Sequence, residues 1–130
     1  MKNLFFLLCV LVIFSCGSEQ KKPDASKPVT EKKAVENIKT GWADEDTYTV
    51  KVIAKNESIA KEKADNKILK DIINVRMMNQ SKYTDITKIQ EEFKDPLKNG
   101  TIISSKNVAE GIEIYYQIKD KDLKKKFERK

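Results

Sequence analysis

The sequence predicts an α+β domain: a three-stranded, mainly antiparallel sheet in the order β-α-α-β-β, with one long helix across one face. Three observations carry this. Residues 48–54 and 112–118 alternate apolar and polar side chains with period two, and both are rich in β-branched or aromatic residues. Residues 57–79 repeat apolar side chains at helical spacing with no Gly or Pro between them. The last two extended stretches are joined at Glu110-Gly111, which makes them a hairpin. A sheet with one apolar face needs a cover, and the long helix supplies it.

Gly41-Trp42 opens the domain and an acidic turn, Asp44-Glu45-Asp46, follows. In the first strand Tyr48, Val50, Val52 and Ala54 share one face, and Thr49, Lys51 and Ile53 the other. Asn56 is placed to cap the long helix, with Glu57 in its first turn. Ala60, Ala64, Ile68, Ile72 and Val75 form its apolar stripe, widened by Leu69 and Met78, while Lys61, Lys63, Lys67 and Lys70 fall on the polar side. The helix is about 33 Å long, and the two alanines let it approach a sheet closely.

Thr84 or Asp85 caps a second, shorter helix with Ile86, Ile89 and Phe93 on one face, and Asp95-Pro96 ends it. Asn99-Gly100 signals a turn. The second strand covers 101–108 with Ile102 and Val108 in register, although Ile103 breaks the alternation. In the third, Ile112, Ile114, Tyr116 and Ile118 oppose Glu113, Tyr115 and Gln117. Leu123 and Phe127, four apart, suggest a short final helix carrying Lys124, Lys125 and Lys126.

The domain is bounded at 41–118, between a leader and tether on one side and a basic tail, 119–130, on the other. Lys2 precedes an apolar run from Leu4 to Phe14, in which Cys9 is compatible, and Ser15 and Cys16 follow. Eleven such residues rise about 16 Å as a helix, half the hydrocarbon thickness. Residues 1–15 are therefore read as an export signal peptide and not a membrane span. Residues 17–40 carry Pro23, Pro28 and many charges but few large apolar side chains. They read as a flexible tether of roughly 25–30 Å at coil dimensions.

Ile13-Phe14-Ser15-Cys16 resembles the lipobox of bacterial lipoproteins: aliphatic at the first position, small at the third, Cys at the fourth. Phe14 departs from the usual small or aliphatic second residue, a looser form like that of spirochaetes. The resemblance implies a diacylglycerol on the Cys16 thiol and cleavage that leaves Cys16 at the N-terminus. Two or three acyl chains hold a bilayer stably, where one does so only marginally. The residues also allow ordinary cleavage after Gly17, since Ser15 and Gly17 are small at the right offsets. Gly17 is not the Asp of inner-membrane retention, so outer-membrane residence is expected in a two-membrane cell.

Gly41-Trp42, the strand at 48–54 and the helix carrying Ala60 and Ala64 resemble the LPP20-like lipoprotein family. That family often ends its first strand in glycine, where this chain has Ala54, and the 85–94 helix reads as an insertion. The resemblance implies an envelope lipoprotein of binding or structural type and carries no catalytic residues across.

Composition narrows the chemistry. The chain has no histidine, which removes Ser-His-Asp triads, Cys-His dyads and His-based metal sites. Its two cysteines are Cys9, in the leader, and Cys16. The mature chain then has neither disulfide nor free thiol, and its stability rests on its core. The net charge is +6, with the excess in the tether and tail, while 41–118 holds twelve Lys and Arg against thirteen acids. A nucleic-acid surface would place a basic stripe on the domain itself, so no nucleic acid is expected.

Asp44-Glu45-Asp46 lacks the alternating oxygens and distant Glu of an EF-hand and reads as a solvated turn. Glu91 and Glu92 diverge by about 100° on a helix and read as a solvated face. No metal, cofactor or catalytic residue is assigned. Trp42, Tyr83 and Tyr115 are candidates for an exposed contact patch, though a lone Trp beside a strand also suits a core. Lys124, Lys125 and Lys126 are candidates for contact with an anionic surface; the alternative is a frayed, solvated terminus. The expected function is that of a membrane-anchored envelope lipoprotein, not an enzyme, acting through contacts with an unidentified envelope protein. The alternative is a periplasmic module that binds a small molecule or glycan. An enclosed cavity lined by Trp42 and tyrosines would favour the second, and a filled core the first.

Overall fold

Alternating strands and a striped helix give the two expected layers, but the sheet has four strands. The computed structural model describes residues 37–130. Its elements are β1 (Gly41–Asp44), β2 (Thr47–Ala54), α1 (Glu57–Met78), α2 (Ile86–Glu92), α3 (Lys94–Lys98), β3 (Thr101–Val108), β4 (Gly111–Lys119) and α4 (Leu123–Phe127). The leader, Cys16 and the tether as far as residue 36 lie outside the described residues. Strand order is β1-β2-β4-β3, with every neighbouring pair antiparallel.

The additional strand is β1, which is too short to show alternation. The Asp44 carboxylate accepts the Asp46 N–H at 2.8 Å and closes the turn into β2, which sets Trp42 opposite Tyr48. On β2 and β4 the predicted faces hold: Val50, Ala54, Ile114, Tyr116 and Ile118 are buried against Ala60, Ala64, Ile68, Leu69 and Ile72 of α1. In β3 the register shifts between Ile102 and Ser104. The bulge takes up Ile103 as an extra residue and reverses the phase beyond it. Ile102 stands opposite Tyr116 on the core face, whereas Val108 pairs with Gly111 on the other face, contrary to the register expected for it.

Asn56 caps α1, its side chain accepting the Ile59 N–H at 2.9 Å. The stripe ends differently from the expectation: Met78 is 85% exposed, and Arg76 is buried in its place. The helix closes with Ser81 N–H bonded to the Arg76 carbonyl and Gln80 N–H to that of Met77, and Gln80 takes a left-handed φ of 54°. Asp85 caps α2, accepting the Thr87 N–H at 2.9 Å. Ile89 and Phe93 are fully buried, but Ile86, expected on the same face, is 52% exposed. Pro96 does not end the helical region. It lies in the first turn of α3, where a missing N–H costs no helical bond.

The segment 119–130, expected to lie outside the domain, packs onto it. Leu123 and Phe127 are fully buried. Phe127 packs edge-on to Phe93 and Trp42, with ring centroids at 5.4 and 4.7 Å, and lies 4.9 Å from Tyr48. The acidic turn is its dock: the Asp46 carboxylate accepts Asp122 N–H at 2.7 Å, and the Glu45 carbonyl accepts Lys124 N–H at 2.9 Å.

Arg76 joins these pieces. Its guanidinium donates to the carbonyls of Phe127 at 3.3 Å, Lys126 at 2.6 Å and Tyr83 at 3.0 Å, and to the Glu92 carboxylate at 2.9 Å. It also lies 5.6 Å from the centre of the Phe93 ring. Arg76→Met should lower the unfolding free energy by about 3 kcal/mol. Adding Glu92→Gln should recover little of this, since three of the four bonds go to carbonyls. Urea unfolding followed by Trp42 fluorescence checks both. Gln80→Gly relieves the left-handed residue and should add roughly 0.5–1 kcal/mol in the same assay.

Candidate functional site

The expected contact patch does not form. Trp42 is part-buried between Tyr48 and Phe127, with ring centroids 4.8 and 4.7 Å away. Tyr83 is exposed in the loop after α1, with the Arg129 guanidinium 4.2 Å from its ring centre. Tyr115 belongs to the opposite sheet face, where Lys51 Nζ lies 5.8 Å from its ring centre. The three aromatics serve separate local packings.

The basic run is compensated residue by residue. Lys124 faces Glu45 at 4.0 Å, Lys125 pairs with Asp122 at 2.7 Å, and Lys126 pairs with Asp120. The hydrogen bond and charge of Asp122 raise the Lys125 ammonium above its ordinary value. Glu91 and Glu92 diverge as expected, Glu91 lying exposed 4.0 Å from Lys94, but Glu92, expected on the same solvated face, turns inward to pair with the buried Arg76. Cys16 lies outside the described residues.

The surface that stands out instead runs along β2. β1 pairs only with Thr47, Tyr48 and Thr49. Beyond Thr49, among the described residues, no strand lies on that side of β2. An open groove of about 600 Å³ follows this edge, floored by residues of β2 and walled by Lys67 and Asp71 of α1. It continues past Val52 and Ile53 along Lys63, Asn66, Lys70 and Asn74.

Within the groove the Asp71 carboxylate accepts the Tyr48 hydroxyl at 3.0 Å and faces Lys67 at 3.7 Å. Burial, and then the charge and hydrogen bond of Asp71, hold the Tyr48 phenol far above its ordinary value, so it stays protonated and is no nucleophile. Lys63 Nζ reaches the Ile53 carbonyl at 3.3 Å. On the outer face Lys51 pairs with Glu113 at 2.8 Å. Sequence reasoning marked Lys63 and Lys67 only as the polar side of a helix, and Lys51 only as the outer face of a strand. The groove exists because β1 has four residues beside the eight of β2, a mismatch that no local feature of the sequence announces.

A second polar spot lies behind β4. The Tyr116 hydroxyl donates to the Leu97 carbonyl at 2.8 Å, and Oδ1 of the nearby Asp65 is buried without a hydrogen-bond partner. Gly100 makes room for that hydroxyl, since a Cβ there would overlap it. Burial raises the Asp65 carboxyl above its ordinary value, against the opposing pull of Tyr116 and Lys61.

Among the described residues no group of three or more Cys, Asp or Glu could hold a metal ion, and no helix is long and apolar enough to cross a membrane. Compared with protein-family models, curated proteins and solved structures, the chain matches none.

The raised Asp65 carboxyl gives a pH signature. The folded state keeps this proton to higher pH than the unfolded chain does. Stability from this group is therefore present at low pH and declines as pH rises through the ordinary value of 3.8 toward the raised one. Asp65→Asn removes that decline. The variant should melt above the wild type at pH 7, and the difference should close as the pH falls below the ordinary value of 3.8. Thermal melts across that range check it.

Proposed function

We propose that the chain is a membrane-anchored bacterial envelope lipoprotein that works through protein contacts and performs no catalysis. The anchor is acylated Cys16, residues 17–40 are the leash, and outer-membrane residence is part of the same proposal, as is kinship with the LPP20-like lipoproteins. The observation that carries the contact reading is the interior. Ile68, Ile72, Ile114, Tyr116, Phe93 and Phe127 fill the space between sheet and helices, and the concave surface along β2 is an open groove. The small-molecule or glycan alternative calls for a cavity lined by Trp42 and tyrosines, whereas Trp42 is spent on Tyr48 and Phe127. The ionisable groups support the same reading: Tyr48 is held protonated, and Glu91 and Glu92 point apart.

Metabolic labelling with a palmitate analogue tests the anchor. Label should appear on the wild-type chain, vanish in Cys16→Ser, and follow the membrane fraction. No label on the wild type, or label persisting in Cys16→Ser, overturns it. Lysine-directed crosslinking in intact cells tests the contact reading, which expects a discrete heteromeric adduct with an envelope protein; cells that yield none contradict it.

A further inference from the structure

We propose that the free edge of β2, residues 50–54, takes up an extended acidic segment of a partner protein as an added strand in line with β1. This rests on the contact reading above and names the kind of contact.

Peptide groups alternate in direction along a strand. The Ala54 carbonyl faces β4, where it fills the space a Cβ on Gly111 would need. The carbonyls of Ile53 and Lys51 therefore point the other way, as do their N–H groups. Lys63 Nζ at the Ile53 carbonyl marks that side as the open one. β1 stops its pairing at Thr49, and among the described residues the Lys51 and Ile53 amides have no backbone partner on this side. Unpaired groups in a row are a template for another strand, and five residues offer about 15 Å of it.

Charge decides the occupant. Lys63, Lys67 and Lys70 line the α1 wall of the groove. Among the described residues Lys63 and Lys70 have no carboxylate partner, and the one acid in the wall, Asp71, already serves Tyr48 and Lys67. A second copy docking edge to edge would bring a like-charged wall of lysines against this one. An acidic strand meets the wall with alternate side chains and presents the others on the side of Ile53, which is 36% exposed. The lysines thus guard the edge against self-pairing while leaving it open to a strand of opposite charge.

The test uses the full chain in a non-ionic detergent and a fluorescein-labelled, end-capped peptide of alternating Glu and Val, with the Lys–Val isomer as control. The acidic peptide should bind and the basic one should not. Binding should weaken at least about tenfold in Lys63→Glu/Lys67→Glu, and with rising salt. Ile53→Pro removes an edge N–H that β4 does not use and should also abolish binding. Trp42 fluorescence reports whether it folds, and the double lysine variant, altered only at exposed positions, decides if it does not. The Lys51 and Ile53 amides should exchange fast alone and become protected with peptide. Equal binding of both peptides, no binding of the acidic one, or unchanged binding after charge reversal overturns the proposal. So does protection of those amides before peptide is added, which would mean that this chain's own upstream segment or a second copy already fills the edge. A crosslinked partner in cells together with a failed peptide assay sinks this proposal alone; the absence of any partner sinks the broader reading.

Discussion

The fold depends on one buried guanidinium. Arg76 is 1% exposed, and it spends its donors on α4, on the loop after α1 and on α2. Arginine suits the position because its planar fork can serve several acceptors at once and never loses its charge. Without that node, α2 and α4 would meet α1 through Ile89, Phe93, Leu123 and Phe127 alone. These apolar side chains exclude water but do not fix one arrangement. A domain of this size without disulfides has little stability in reserve, so a directional tie that also satisfies the last carbonyls of α4 is worth its desolvation cost.

That tie gives the C-terminal segment a role opposite to the one its lysines suggest. Phe127 joins Phe93, Trp42 and Tyr48, and so bridges α2, β1 and β2. The acidic turn holds the start of α4 while Arg76 holds its end. Trp42 is thereby part of the packing that keeps β1 in place, and β1 in turn sets how much of β2 stays unpaired. The open edge follows from this chain of contacts.

Long periodic elements were legible in the sequence, as were the short helices α2 and α4, whereas β1 and α3 were not. The stripe of α1 and the faces of β2 and β4 could be read because each spans several periods. β1 has four residues and is defined by its pairing with β2, so nothing local announces it. The lapse in alternation at Ile103 was visible, but only the pairing of Ile102 and Ser104 with successive residues of β4 identifies a bulge, and the bulge turns Val108 to the other face. Met78 and Ile86 follow the apolar spacing yet lie at helix ends where no neighbour covers them. Arg76 reads as polar, and its burial could be found only from the carbonyls that converge on it from distant segments. The open edge was illegible for the same reason: it is set by where a neighbouring strand stops.

The proposed function of this domain, exported and filled inside, runs through the unpaired edge of β2. A photo-crosslinking amino acid placed at Ile53 in the full chain, compared with one at Ile86 on the exposed face of α2, tests this in intact cells. One discrete envelope-protein adduct is expected from position 53 and none of that size from position 86. Position 53 yielding no adduct, or both positions yielding the same one, would contradict it.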